Sequence, residues 1–185
     1  MRQTLFLSAT MAIVSAASAV AQTTPASNSA GGNTTTPATK PVACATEAPR
    51  HQFDFWIGEW DVTTKDGKHA GSSVIESVSG GCALLENWTS GSGGHGKSLN
   101  AWNPSIRQWQ QYWIGQDGAP TEFRSSEFDG KSISFFNRHE NDSLKFERLT
   151  FTPLDASTVR QHSEKTTDGG RTWATEYDLY YHRKK

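Results

Sequence analysis

The sequence predicts an all-β protein, a single antiparallel up-and-down barrel of about ten strands. Beyond residue 44 no segment repeats apolar residues at helical spacing, whereas many segments alternate apolar and polar residues. Turn-forming pairs such as Asp66-Gly67 and Gly80-Gly81 interrupt these segments at short intervals. A closed barrel is favoured over a sandwich because closure leaves no exposed sheet edge.

The strands follow one another with short connections. In the first, Trp60, Val62 and Thr64 share one face. The connections carry Gly, Pro, Asn and Asp, as at Asn103-Pro104 and Asp129-Gly130. The predicted strands are 58–65, 72–78, 83–90, 97–103, 107–115, 120–128, 131–140, 144–153, 157–165 and 172–183.

The first 43 residues are expected to lie outside the barrel domain, which is assigned to residues 44–185. Residues 1–21 combine one positive charge, a short apolar run over 5–14 and the small-residue sequence Ala19-Val20-Ala21, which together predict a signal peptide. Residues 22–43 are rich in Thr, Ser, Pro and Ala and predict a flexible linker. We therefore expect a periplasmic or secreted protein, cleaved near Ala21, without a membrane span.

Cys44 and Cys82 are the only cysteines. An oxidising compartment favours a structural disulfide between them, and a redox or metal-binding thiol pair is the alternative. The formal net charge of −1 gives no reason to expect nucleic acid or an acidic membrane as a partner.

Residues 91–98, GSGGHGKS, satisfy the phosphate-loop pattern G-x-x-x-x-G-K-[ST]. A phosphate loop must be followed by a helix, and here Pro104 stands too close for one of useful length. We therefore interpret the glycines as a hairpin turn.

Residues 166–173, TTDGGRTW, resemble the Asp-box of sialidase-type propellers. The motif occurs once, whereas a propeller would repeat it. It therefore predicts a hairpin clasp before the last strand and not a glycosidase.

Six segments resemble an uncharacterised family of secreted bacterial proteins with a calycin-like barrel, similar to nitrobindin or lipocalins. The segments are HQFDFWIGEWDV (51–62), GCALLENWTSG (81–91), KSLNAWNP (97–104), ERLTFTP (147–153), VRQHSE (159–164) and TDGGRTWATEYDLYYHR (167–183). The resemblance spans residues 51–183 and implies a turn of helix before Gly58, with Trp60 plugging the closed end of the barrel. The family has no settled activity to carry over.

Nitrobindin-like relatives bind haem through a His near the start of the closing strand. Residues 173–177, WATEY, hold no His there, although His162 and His182 lie on the last two strands. No cofactor is therefore predicted, and haem is kept as an alternative.

Alternation also predicts which polar residues face the interior. Glu86 shares a face with Leu84 and Trp88, Asn100 with Trp102, Arg148 with Leu144 and Phe146, and Gln161 with Val159. Either Glu86 and Arg148 form a structural ion pair, or they anchor a ligand's polar end. The predicted ligand-binding residues are Glu86, Trp88, Asn100, Trp102, Trp113, Arg148 and Gln161.

These residues favour a barrel that binds a small, largely apolar molecule without chemistry of its own. One alternative is an enzyme with Glu86 as a general base. Another is a filled barrel that acts as an envelope interaction module. The six histidines lack metal-binding spacing such as H-x-H or H-E-x-x-H, so no metal site or catalytic residue is assigned.

Overall fold

The computed structural model describes residues 43–138 and 142–185, which form eleven antiparallel strands in one nearly closed barrel. The strands are β1 Gly58–Thr64, β2 His69–Val78, β3 Ala83–Ser90, β4 His95–Asn103, β5 Gln108–Gly115, β6 Pro120–Phe123, β7 Ser125–Phe128, β8 Ile133–Arg138, β9 Phe146–Pro153, β10 Thr158–Thr166 and β11 Ala174–Arg183. The all-β prediction is confirmed. The predicted signal peptide, the predicted linker up to residue 42 and the last two residues of the predicted strand 131–140 lie outside the described residues.

The strands follow an up-and-down order. Each is hydrogen-bonded to its neighbours in the chain from β1 to β6 and from β7 to β11, and β1 pairs with β11. The two edge strands are therefore β6 and β7. The barrel is closed between these edges, at a seam where β5 meets β7. Across this seam the Trp109 N–H donates to Ser126 Oγ at 2.8 Å, and Gln110 Nε2 donates to the Arg124 carbonyl at 3.0 Å.

The strand count exceeds the predicted number of about ten because the predicted strand 120–128 is divided at Arg124. Residues before Arg124 pair with β5, and residues after it pair with β8. One continuous alternating segment thus changes partner at the seam, a change that alternation alone does not reveal.

One end of the barrel is filled by aromatic side chains from the residues that precede β1. Phe53 and Trp56 lie in a 3-10 turn region and are fully buried, with stacked rings whose centroids are 4.9 Å apart. Trp60 is also fully buried, and its Nε1 donates to the Trp56 carbonyl at 2.9 Å. The Trp109 indole reaches the same segment by donating to the Pro49 carbonyl at 3.1 Å. Aromatic burial of this extent supplies much of the driving force for closing this end.

Cys44 and Cys82 form a disulfide, as predicted, with their Cα atoms 4.9 Å apart. It attaches the N-terminal segment to the residue that precedes β3, and such bonds persist in oxidising compartments. Within the described residues, no helix is both long and apolar enough to cross a membrane.

Both turn motifs form hairpins. The phosphate-loop look-alike connects β3 to β4, with Gly93 at a φ of 89° and a strand, not a helix, beginning at His95. In the Asp-box look-alike, Asp168 Oδ1 accepts the Arg171 and Thr172 backbone N–H groups, both at 2.9 Å. This clasp leads into β11 and confirms the structural interpretation of the motif.

Candidate functional site

A cavity of about 390 Å³ lies inside the barrel, next to the aromatic core. Its lining runs from exposed side chains such as Lys165 to buried ones such as Glu86. Six strands contribute to it: β3, β5, β6, β9, β10 and β11. The lining residues are Glu86, Trp88, Gln111, Trp113, Thr121, Phe123, Glu147, Leu149, Gln161, Ser163, Lys165, Glu176, Tyr177, Leu179 and Tyr181.

Two tryptophans form walls of the cavity, and each lies against a glycine. A Cβ atom at Gly71 would come within 2.8 Å of the Trp88 ring, and one at Gly96 would overlap the Trp113 ring. Because both neighbouring strands lack a side chain at these positions, each indole is able to pack close to the backbone.

Glu86 is the buried acid at the inner end of the cavity, with 3% of its surface exposed. Its Oε1 accepts a hydrogen bond from Ser73 Oγ and its Oε2 accepts one from Ser98 Oγ, both at 2.9 Å. Burial raises the pKa of Glu86 to about 7, although the hydrogen bonds from Ser98, Ser73 and Tyr181 act in the opposite direction.

A chain of amides continues from Glu86 towards β5. Asn100 Nδ2 donates to Ser98 Oγ at 2.9 Å and to the Leu84 carbonyl at 3.4 Å. Gln111 Nε2 then donates to Asn100 Oδ1 at 2.7 Å. Asn100 is fully buried and does not line the cavity, so it holds Ser98 and Gln111 in place.

On the other side of Glu86, β10 and β11 contribute Gln161 and Tyr181. The Tyr181 hydroxyl lies 2.6 Å from Gln161 Oε1 and 3.4 Å from Glu86 Oε1. A hydroxyl has a single proton, so the shorter contact is the principal hydrogen bond. Burial, and then the nearby Glu86, raise the pKa of Tyr181 well above its usual value, so the phenol stays protonated.

The mouth of the cavity carries three further charged groups. Lys165 Nζ lies 2.5 Å from Glu176 Oε1 and 3.1 Å from Glu147 Oε1. Ser163 Oγ donates to the other Glu176 oxygen at 3.3 Å. These side chains are partly exposed, so the ion pairs position groups at the mouth and add little stability.

Of the seven side chains predicted to bind a ligand, Glu86, Trp88, Trp113 and Gln161 line the cavity. Asn100 supports them from behind. Trp102 packs against the aromatic core, and its carbonyl faces Arg50 from the N-terminal segment.

The expected inward orientation of Arg148 is wrong. Arg148 Nη2 donates a hydrogen bond to Glu164 Oε2 at 2.7 Å, and the guanidinium lies 4.0 Å from the centre of the Trp173 ring. No Glu86–Arg148 pair therefore forms. The error arises from Phe146, which is buried against Trp173 on the outer face of the barrel, with ring centroids 5.2 Å apart. The inner face of β9 carries Glu147 and Leu149 instead.

Sequence reasoning missed several cavity residues, above all Gln111, Glu176 and Tyr181. Alternation on β11 places Tyr177, Leu179 and Tyr181 on one face, a signal that was available in the sequence. The position of Glu176 was harder to predict from the sequence, because the register between β10 and β11 shifts beside it.

The histidines of the last strands lie away from the cavity. His162 contacts Thr175 and Glu164, and His182 contacts Thr63. His139 lies outside the described residues. Among the described residues, no cluster of three or more His, Cys, Asp or Glu side chains is placed to hold a metal ion.

The fold and the cavity together define an antiparallel β-barrel with an internal pocket. Comparison of the chain with models of known protein families and with curated proteins found no match.

Proposed function

We propose that this protein is an exported barrel of calycin-like type that binds one small, largely apolar molecule in its cavity. The observation that carries the proposal is the cavity itself, whose volume of about 390 Å³ is in the range of small-molecule sites. Seven of its fifteen lining residues are aromatic or aliphatic, and Glu86, Gln111 and Gln161 converge at its inner end. That distribution is typical of sites that bind an apolar body and orient one polar end.

Three buried side chains are positioned to orient the ligand. Glu86, Gln111 and Gln161 are each more than nine-tenths buried, and all three line the cavity. Because hydrogen bonds to Ser98, Asn100 and Tyr181 hold them, they are preorganised and lose little freedom on binding.

Two features support export. The signal-peptide pattern of residues 1–21 is one, and the Cys44–Cys82 disulfide, which suits an oxidising compartment, is the other. The resemblance of residues 51–183 to a secreted bacterial family agrees with both.

The test is a native mass spectrum of the full chain, expressed with its leader and purified from the periplasm with the disulfide intact. We expect a bound mass that is released on denaturation and is lost when Leu179→Trp fills part of the cavity that Leu179 lines. The matched control is Leu99→Trp, at an exposed position on β4. A bare protein mass, together with no stabilisation by any member of a small-molecule library, would contradict the proposal.

A second candidate function is an enzyme in which Glu86 is the general base. The observation that favours it is the pKa of Glu86 of about 7, which suits proton transfer near neutral pH. Glu86→Gln would then bind the substrate normally and turn none of it over, whereas equal turnover by the two proteins would exclude this role.

A further inference from the structure

We propose that the ligand of the cavity is an organic cation, a small amine with an apolar body whose ammonium group pairs with Glu86. This inference rests on the proposed function, which requires only that a small molecule binds. It adds the charge of the ligand and the residue that recognises that charge.

The first argument is the charge of the cavity. Three carboxylates line it, those of Glu86, Glu147 and Glu176, against the single ammonium group of Lys165. Lys165 is already engaged at the mouth by Glu147 and Glu176. Glu86, at the inner end, has hydroxyl partners but no cationic partner among the described residues. A cation entering the cavity would supply that partner.

The second argument is the direction of the hydrogen bonds. The Leu84 carbonyl only accepts, so the Asn100 atom facing it must be the amide nitrogen. Asn100 Oδ1 therefore faces Gln111, which must donate its own nitrogen. The remaining polar atom of Gln111, Oε1, is a hydrogen-bond acceptor with no partner among the described residues.

The same reasoning applies to Glu86. Ser98 Oγ receives a hydrogen bond from Asn100, so its own proton is free to reach Glu86 Oε2. Ser73 has a hydroxyl proton for Oε1. Both oxygens of Glu86 are thus set up as acceptors. With Gln111 Oε1, they form an acceptor-rich pole that suits the N–H groups of an ammonium ion.

The third argument is the aromatic lining. Trp88, Trp113, Tyr177 and Tyr181 surround the cavity. Trp88 and Tyr181 lie with ring centroids 6.4 Å apart beside Glu86. Aromatic faces carry negative potential and attract ammonium groups, and the same rings offer contact area to an apolar body. An anionic ligand would gain the contact area but not the attraction between its charge and the aromatic faces.

Three compounds that differ only in their polar end distinguish the possibilities: 4-phenylbutylamine, 4-phenylbutanol and 4-phenylbutanoate. We expect calorimetry at about pH 8, where Glu86 is ionised and the amine is protonated, to give the order amine, alcohol, acid. Stronger binding of the alcohol or the acid would overturn the assignment of charge and leave the binding function intact. Binding of none of the three would overturn the assignment as well, and the native mass spectrum judges the binding function separately.

Substitutions locate the charge. Glu86→Gln should weaken amine binding roughly 10- to 100-fold and leave alcohol binding within about twofold. The matched control, Glu76→Gln, removes a carboxylate from the outer face of the neighbouring strand and should change neither. Lys165→Gln removes the competing cation at the exposed mouth and should strengthen amine binding about two- to fivefold. If Glu86→Gln and Glu76→Gln bind the amine equally well, Glu86 is not the counter-ion.

Discussion

At the scale of single residues, Glu86 combines properties that folding alone does not require. It is buried beside a cavity, and only neutral groups hydrogen-bond to it. A buried carboxyl group of this kind reduces the stability of the ionised fold, because desolvation opposes its charge. An acid in such an environment is consistent with a role in recognition, as perturbed acids in clefts often have.

The stability of the protein should therefore depend on the ionisation of Glu86. Its pKa rises from an ordinary 4.5 to about 7 on folding, so between these values the folded state binds more protons than the unfolded state. The free energy of unfolding thus falls as the pH rises from about 4.5 to about 7. Above pH 7 the contribution of Glu86 to this free energy no longer changes. Glu86→Gln lacks the effect, so from pH 5 to 8 its stability should rise relative to the parent by about 2 to 3 kcal/mol.

Urea unfolding at several pH values measures this difference. Glu76→Gln is the control, since its carboxylate is exposed and its removal leaves the buried network intact. Parallel pH profiles for the parent and Glu86→Gln would show that the ionisation of Glu86 is not linked to folding.

At the scale of elements, the positions of the strands could be predicted from the sequence. Which side of each strand faces the barrel interior could be predicted only in part. Alternation between turn residues located β3 at Ala83–Ser90 and placed Glu86 and Trp88 inside correctly. It failed on β9, where Phe146 is apolar and buried but lies outside, beneath the clasp that contains Trp173. Sequence periodicity reports burial and not which side of a sheet is buried, so a strand covered on both faces is ambiguous.

The corrected position of Arg148 changes what its removal should do. Its side chain is about one-third exposed, paired with Glu164 and lying over Trp173. Arg148→Ala should therefore reduce stability by about 1 kcal/mol and leave ligand affinity within about twofold. Thermal unfolding and calorimetry with the same ligand check the two parts. A large loss of affinity at unchanged stability would instead place Arg148 in the binding site.

At the scale of the whole molecule, the barrel has one filled end and one end with a cavity. The residues that precede β1 supply Phe53 and Trp56 to the filled end, and the disulfide ties that segment to the start of β3. The pairing of cysteines 38 residues apart followed from composition and compartment. The division between a filled end and a hollow end could not be predicted from the sequence, because it depends on which side chains meet across the barrel.

The disulfide should stabilise the entire fold and not one hairpin. Closing a loop of 38 residues lowers the entropy of the unfolded chain and adds about 4 kcal/mol in the chain-entropy treatment. Replacing both Cys44 and Cys82 by Ser should therefore lower the melting temperature by on the order of 10 °C. Because the cavity lies beyond the aromatic plug, the variant should still bind ligand with unchanged affinity below its melting temperature. If affinity falls while the barrel remains folded by circular dichroism, the N-terminal segment shapes the cavity as well as closing the opposite end.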